Sequence, residues 1–145
     1  MKRTKGFTVV ELMISLAILG VLVAIVVPGF RDLAERNAVT NASNELLNGL
    51  LFARSEAIRT EIDTTFTPLA NGWQVTSGVD TIKDQNATHT SITITGNPVT
   101  YNARGRTVPA NAETLTIKYG DVKSYICISL TGRPYTKSAD NGVCP

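Results

Sequence analysis

Hydrophobic and polar positions divide the chain into three textures. From Phe7 to Phe30 nearly every position is apolar. From Asp32 to Thr60 apolar residues recur at steps of three and four. From Ile62 onward they alternate with polar residues over short runs broken by Gly, Asn and Pro.

The 24 residues from Phe7 to Phe30 form a helix roughly 36 Å long, enough to cross a bilayer. In the second texture Val39, Ala42, Leu46, Leu50, Ala53 and Ala57 make one helical stripe, widened by Leu47, Leu51 and Ile58. Asp32, Glu35, Arg36, Asn44, Asn48, Glu56 and Arg59 fill the other faces. This predicts one helix from near Phe7 to about Thr60, interrupted around Pro28. Pro28 lacks an N–H and leaves the Ala24 carbonyl without its helical partner, and Gly29 adds backbone freedom. The third texture predicts strands at Thr64–Thr67, Gly72–Thr76, Ser91–Thr95, Thr114–Tyr119, Ser124–Leu130 and Arg133–Thr136, with a hairpin turn at Gly120-Asp121. Residues 77–90 are polar and read as a loop. The expected fold class is α+β: a long N-terminal helix, its second half packed on a small antiparallel β-sheet head.

Charge refines this picture through its distribution. Lys2, Arg3 and Lys5 form a basic leader ahead of the apolar run. They hold the start of the chain in the cytoplasm and send the head outward. Residues 31–100 carry five basic and eight acidic side chains, and residues 101–145 six basic and three acidic. The apolar run is longer than a secretory signal's core and lacks an A-x-A site. A buried helix in a soluble domain explains neither the leader nor the length. An ordinary single-span anchor fits both, yet leaves Glu11 without a reason, since an acid inside an apolar run is costly. Its natural partner is a cation at the same depth. Cleavage before Phe7 creates one, an amine four residues and about 6 Å of helix away, on the same or a neighbouring chain.

Chemistry is sparse. His89 is the single histidine, placed between two threonines, and reads as a surface loop residue. There is no phosphate-binding loop, no metal-ligand spacing and no nucleophile–base set, so the chain reads as non-enzymatic and without cofactor. Gly105 between Arg104 and Arg106 reads as a turn, and Trp73 as a core or sheet residue. Cys127 and Cys144 read as a disulfide if the head faces an oxidising compartment.

The segment Gly6-Phe7-Thr8-Val9-Val10-Glu11-Leu12, after a basic leader and before an apolar helix, resembles the processing site of type IV prepilins and type II secretion pseudopilins. The resemblance implies cleavage between Gly6 and Phe7 by prepilin peptidase and N-methylation of Phe7. It also implies that Glu11 pairs with an adjoining subunit's amine. The chain then divides into a cleaved leader (1–6), a transmembrane and filament-core helix (7–30), an amphipathic helix (31–60) and a β-rich head (61–145).

Leu51-Phe52-Ala53-Arg54-Ser55-Glu56-Ala57-Ile58-Arg59, Gly72-Trp73 and Ile128-Ser129-Leu130-Thr131-Gly132-Arg133 resemble the GspH/FimT/FimU group of minor pilins and pseudopilins. This implies a low-abundance subunit near a filament tip that helps prime or cap pilus assembly. A secretion pseudopilin and a DNA-binding minor pilin are the alternatives. Implied partners are other major and minor pilins, prepilin peptidase, the inner-membrane assembly platform and, before assembly, membrane lipid. The implied location is the bacterial inner membrane with the head in the periplasm, then an extracellular pilus or periplasmic pseudopilus. For DNA contact the residues are Arg133 and Lys137, with Arg104 and Arg106; Lys118 and Lys123 are also basic. The group's DNA-binding GRxR motif reads Gly132-Arg133-Pro134-Tyr135 here, so its second arginine is absent, and scattered charges on a solvated strand edge are the favoured reading.

Overall fold

A computed structural model describes residues 6–86, 91–109, 113–137 and Cys144. The chain divides into two units, residues 1–34 and 35–145.

One helix, α1 (Val9–Thr60), runs through both textures. The interruption expected at Pro28-Gly29 does not appear: both residues lie inside α1. A proline deletes one backbone hydrogen bond, and the bonds on either side still carry the helical path. In the first unit the large apolar side chains from Phe7 to Leu33 are all exposed. The 18-residue window that marks α1 as long and apolar enough to cross a membrane has none of its residues buried.

In the second unit the stripe does what its spacing requires. Ala38, Val39, Ala42, Leu46, Leu50, Ala53 and Ala57 are buried in one hydrophobic core. Leu47 packs against that core partly buried, whereas Leu51 and Ile58 remain half exposed. The buried stripe is therefore narrower than the sequence suggests.

Among the described residues nine strands follow, and every pairing between them is antiparallel. They are β1 (Thr64–Leu69), β2 (Gly72–Ser77), β3 (Asp80–Asn86), β4 (Thr93–Thr95), β5 (Val99–Tyr101), β6 (Thr107–Val108), β7 (Glu113–Tyr119), β8 (Val122–Ile128) and β9 (Pro134–Lys137). They form two sheets rather than one, in the orders β3-β2-β1-β5-β6 and β4-β7-β8-β9. Phe66, Trp73, Val75, Val99 and Tyr101 from the first sheet meet Ile94, Leu115, Ile117, Ile126 and Ile128 from the second in the same core as the α1 stripe.

The predicted strands all appear with shifted ends. The hairpin at Gly120-Asp121 joins β7 to β8, with Tyr119 opposite Val122. The expected loop at 77–90 is corrected over half of its length, because β3 occupies Asp80–Asn86, and residues 87–90 of it lie outside the described residues. All seven β3 residues are exposed, so nothing in their hydropathy signals a strand. Pairing to β2 is what holds them. Strands β5 and β6 were not expected either, being only three and two residues long.

Gly49 on α1 permits the close packing of helix on sheet. A Cβ there would lie 2.7 Å from the Phe66 ring and 3.1 Å from Trp73. These two rings stack with centroids 5.6 Å apart.

Candidate functional site

At the start of the helix, Thr8 and Glu11 form a reciprocal cap. The Thr8 N–H and the Thr8 Oγ1 hydroxyl both donate to Glu11 Oε2, each at 2.9 Å. The Glu11 N–H donates to Thr8 Oγ1 at 3.2 Å. This is a Thr-x-x-Glu capping box, which satisfies helix-start donors that have no intrahelical partner. One Glu11 oxygen is therefore engaged within its own chain. The reading of Glu11 as an acid in need of a partner overlooked Thr8, although the spacing of the two residues is a local and recognisable signature.

Phe7 is 82 % exposed. A Cβ built on Gly6 meets nothing within 4 Å. No contact among the described residues requires glycine at position 6, so any requirement for it comes from outside the fold.

On the head, two turns have the same construction. In Asn102–Arg106 the Gly105 N–H donates to the Asn102 carbonyl at 2.8 Å, and the Asn102 N–H to the Arg106 carbonyl at 3.0 Å. In Ser129–Arg133 the equivalent bonds run from Gly132 to Ser129 at 2.8 Å and from Ser129 to Arg133 at 3.0 Å. The side chain of the first residue closes each turn. Asn102 Oδ1 accepts from the N–H groups of Arg104 and Arg106, and Ser129 Oγ accepts from that of Arg133. Gly105 and Gly132 take φ of 67° and 79°, the left-handed region that glycine enters without a side-chain penalty.

The two turns touch, and Arg54 joins them. A Cβ on Gly132 would lie 2.1 Å from the Gly105 carbonyl oxygen. Arg54 Nε donates to that same oxygen at 2.9 Å, and Arg54 Nη2 donates to the Thr131 carbonyl at 3.3 Å. Arg54 thus holds together two turns 51 and 77 residues away in sequence. Tyr101 lies fully buried beside this junction, its ring 3.2 Å from the Gly132 Cβ position. Burial pushes its phenol above the ordinary range, against the opposing influence of the Arg54 charge.

The basic residues singled out from sequence separate into two groups. Arg104, Arg106 and Arg133 are exposed on the joined turns. A cavity of about 470 Å³ there is lined by Asn102, Arg104, Arg106, Thr107, Val108 and Leu130. Lys118 and Lys123 pair across the far end of the β7–β8 hairpin. Lys137 sits opposite Tyr125 and lines a polar recess with Thr40, Ser43, Asn44, Ser124 and Thr136. The six charges do not make one patch. Cys127, buried on β8, is joined to Cys144 as expected. Among the described residues no group of acids, histidines and cysteines is placed to hold a metal ion. His89 lies outside them.

Residues 42–132 match the family described as type II transport protein GspH. The chain belongs to the GspH family. Residues 1–27 of this GspH-family chain match the prokaryotic N-terminal methylation motif, as the Gly6–Glu11 pattern led us to expect. Among curated proteins, it is 50 % identical over 46 residues to a fimbrial protein of Pseudomonas aeruginosa, covering 32 % of this chain and 30 % of that one. A Moraxella nonliquefaciens fimbrial protein is 36 % identical over 84 residues, covering 58 % and 47 %. The GspH-family chain thus spans about a third to a half of the length of these relatives. Among solved structures it superposes on the type IV minor pilin FimU of Pseudomonas aeruginosa with a TM-score of 0.63, at 22 % identity, covering 72 % of this chain and 92 % of that one. At that identity the likeness establishes the fold: a pilin-like α+β architecture. The family is structural rather than enzymatic.

Proposed function

We propose that this chain is a minor type IV pilus subunit. It enters the inner membrane through the first half of α1, is cut between Gly6 and Phe7, is methylated on Phe7, and joins the filament near its tip, where it helps prime or cap assembly. The carrying observation is a combination. A methylation motif and an unburied apolar helix stand on the same chain as a head whose fold resembles that of a minor pilin. An apolar helix of this kind needs lipid or other helices around it, and a filament core supplies the latter.

Mass spectrometry of the chain recovered from its native membrane and from sheared filaments tests the first steps. The expected mature form begins at Phe7 and carries one added methyl group. A chain in filaments that still begins at Met1 contradicts the proposal.

A second reading, a type II secretion pseudopilin, is favoured by the description of the matching family. A deletion strain separates the two. Loss of pili and twitching supports the pilus role; loss of exoenzyme secretion with intact pili supports the other. DNA contact has weaker support, because Lys137 lies away from the arginine turns and Tyr135 stands where the motif has its second arginine.

A further inference from the structure

Asn-x-Ser/Thr, the acceptor pattern for N-linked sugar, occurs twice in the chain, as Asn41-Ala42-Ser43 and Asn86-Ala87-Thr88. Only the second has an acid two positions before the asparagine, in the run Asp84-Gln85-Asn86-Ala87-Thr88; the first has Val39 there. The acid matters because bacterial transferases that recognise this pattern bind that carboxylate as well as the hydroxyl that follows the asparagine.

The fold treats the two asparagines differently. Asn41 lies inside α1, and the hydroxyl that follows it is already engaged: Ser43 is buried, and its Oγ donates to the Val39 carbonyl at 2.8 Å. Asn86 is the last residue of β3, an edge strand, and sits opposite Gly72 in the final pair of the β2–β3 ladder. Ala87 and Thr88 lie outside the described residues and enter by sequence alone. Strand alternation places Lys83 and Gln85 on one face of β3, and Asp84 and Asn86 on the other. Lys83 reaches over the Phe52 ring of α1 at 4.8 Å, so its face is the one toward the helix. Asp84 and Asn86 share the face turned away from α1, about 7 Å apart along the strand. Both are exposed, and among the described residues neither side chain has a hydrogen-bond or ion-pair partner.

We propose that Asn86 is N-glycosylated on the outer side of the inner membrane. The inference goes beyond the proposed function and takes one element from it, a head outside the cytoplasm. The donor is an oligosaccharide carried on a polyprenyl pyrophosphate. Asn86 Nδ2 forms a bond to the anomeric carbon, and the bond from that carbon to the pyrophosphate oxygen breaks. The lipid pyrophosphate leaves with the electron pair, and the nitrogen gives up one proton to the transferase's base. The sugar then stands beside an open strand edge. A bulky hydrated group there blocks pairing with a foreign strand, adding to the protection that the β3 charges give.

The full chain, recovered from its native membrane and from sheared filaments, provides the test. Trypsin separates the two asparagines, since Asn41 falls in the peptide Asn37–Arg54 and Asn86 in the peptide Asp84–Arg104. Mass spectrometry with fragmentation that keeps sugars attached is expected to place an oligosaccharide mass on Asn86 and none on Asn41. Asn86→Gln should abolish it. Asp84→Ala and Thr88→Ala should each remove most of it, whereas Thr88→Ser and Gln85→Ala should keep it. Melting of each variant beside the parent verifies folding. A bare Asn86 overturns the inference; if the same digest shows a chain that begins at methylated Phe7, the proposed function still stands. Sugar on Asn41, sugar only on serine or threonine, or sugar on Asn86 that is indifferent to Asp84→Ala also overturns it.

Discussion

A methyl group added at Gly132 would meet the Gly105 carbonyl oxygen at 2.1 Å, on a backbone already at φ 79°. Neither penalty can relax without separating the two turns. Gly132→Ala should therefore destabilise the head by at least about 2 kcal/mol, read from thermal or denaturant melting of the detergent-solubilised chain. Gly6→Val is the informative contrast. It meets open space, so melting should be unchanged while uncut precursor accumulates in the membrane; normal cutting would remove the proposed role of Gly6. Arg54 is the third residue of this kind. Arg54→Ala withdraws the donors from two carbonyls and should cost about 2 kcal/mol, with Arg54→Lys rescuing little because an ammonium lacks the guanidinium fork. An Arg54→Ala head that melts like the parent would show that packing alone holds the turns. Gly105 was legible as a turn residue between two arginines, whereas Gly132 was quoted only within a family motif. Their contact was not legible, because the register of two different sheets sets it. Arg54 sat within a quoted motif, and its partners lie 51 and 77 residues away.

At the scale of elements, legibility followed burial. The α1 stripe and strand β7 bury periodic or alternate side chains, and β8 buries the apolar run Ile126-Cys127-Ile128, so their pattern is written in hydropathy. Strand β3 buries nothing and is an edge strand carrying Asp80, Lys83 and Asp84. Charges on an edge discourage unwanted strand pairing, and the same charges made it look like a loop. The proline was misread in the opposite sense: a local rule about one hydrogen bond was extended to a whole helix that keeps the others. The disulfide also belongs at this scale. It ties the buried end of β8 to Cys144, 17 residues on, beyond β9. A closed loop of that length contributes about 3 kcal/mol in the chain-entropy model. Replacing both cysteines with serine or alanine should lower head stability by roughly that amount, seen as a shift in the denaturant midpoint. An unchanged midpoint would place the stability of β8 and β9 elsewhere.

For the whole molecule, the proposed cut after Gly6 gives Glu11 a choice of roles. Two roles compete for one carboxylate. As half of a capping box it needs only an acceptor, and Gln serves that purpose nearly as well as Glu. As the partner of a new terminal amine in an apolar setting it needs a full negative charge. Substitution separates the two. Glu11→Gln keeps the cap and deletes the charge; Glu11→Ala deletes both. If the charge directs docking, both variants should be cut after Gly6 and inserted normally, and both should be depleted in sheared filaments, several-fold relative to the parent. If capping is the main role, Glu11→Gln should enter filaments like the parent and Glu11→Ala alone should fail. Thr8→Val supplies the reciprocal control, since it removes the hydroxyl from the box and leaves the charge. Depletion with Glu11→Gln but not with Thr8→Val would tie assembly to the charge itself. The inverse pattern would mean that the helix start, held by Thr8 and Glu11 together, is what a neighbouring subunit recognises.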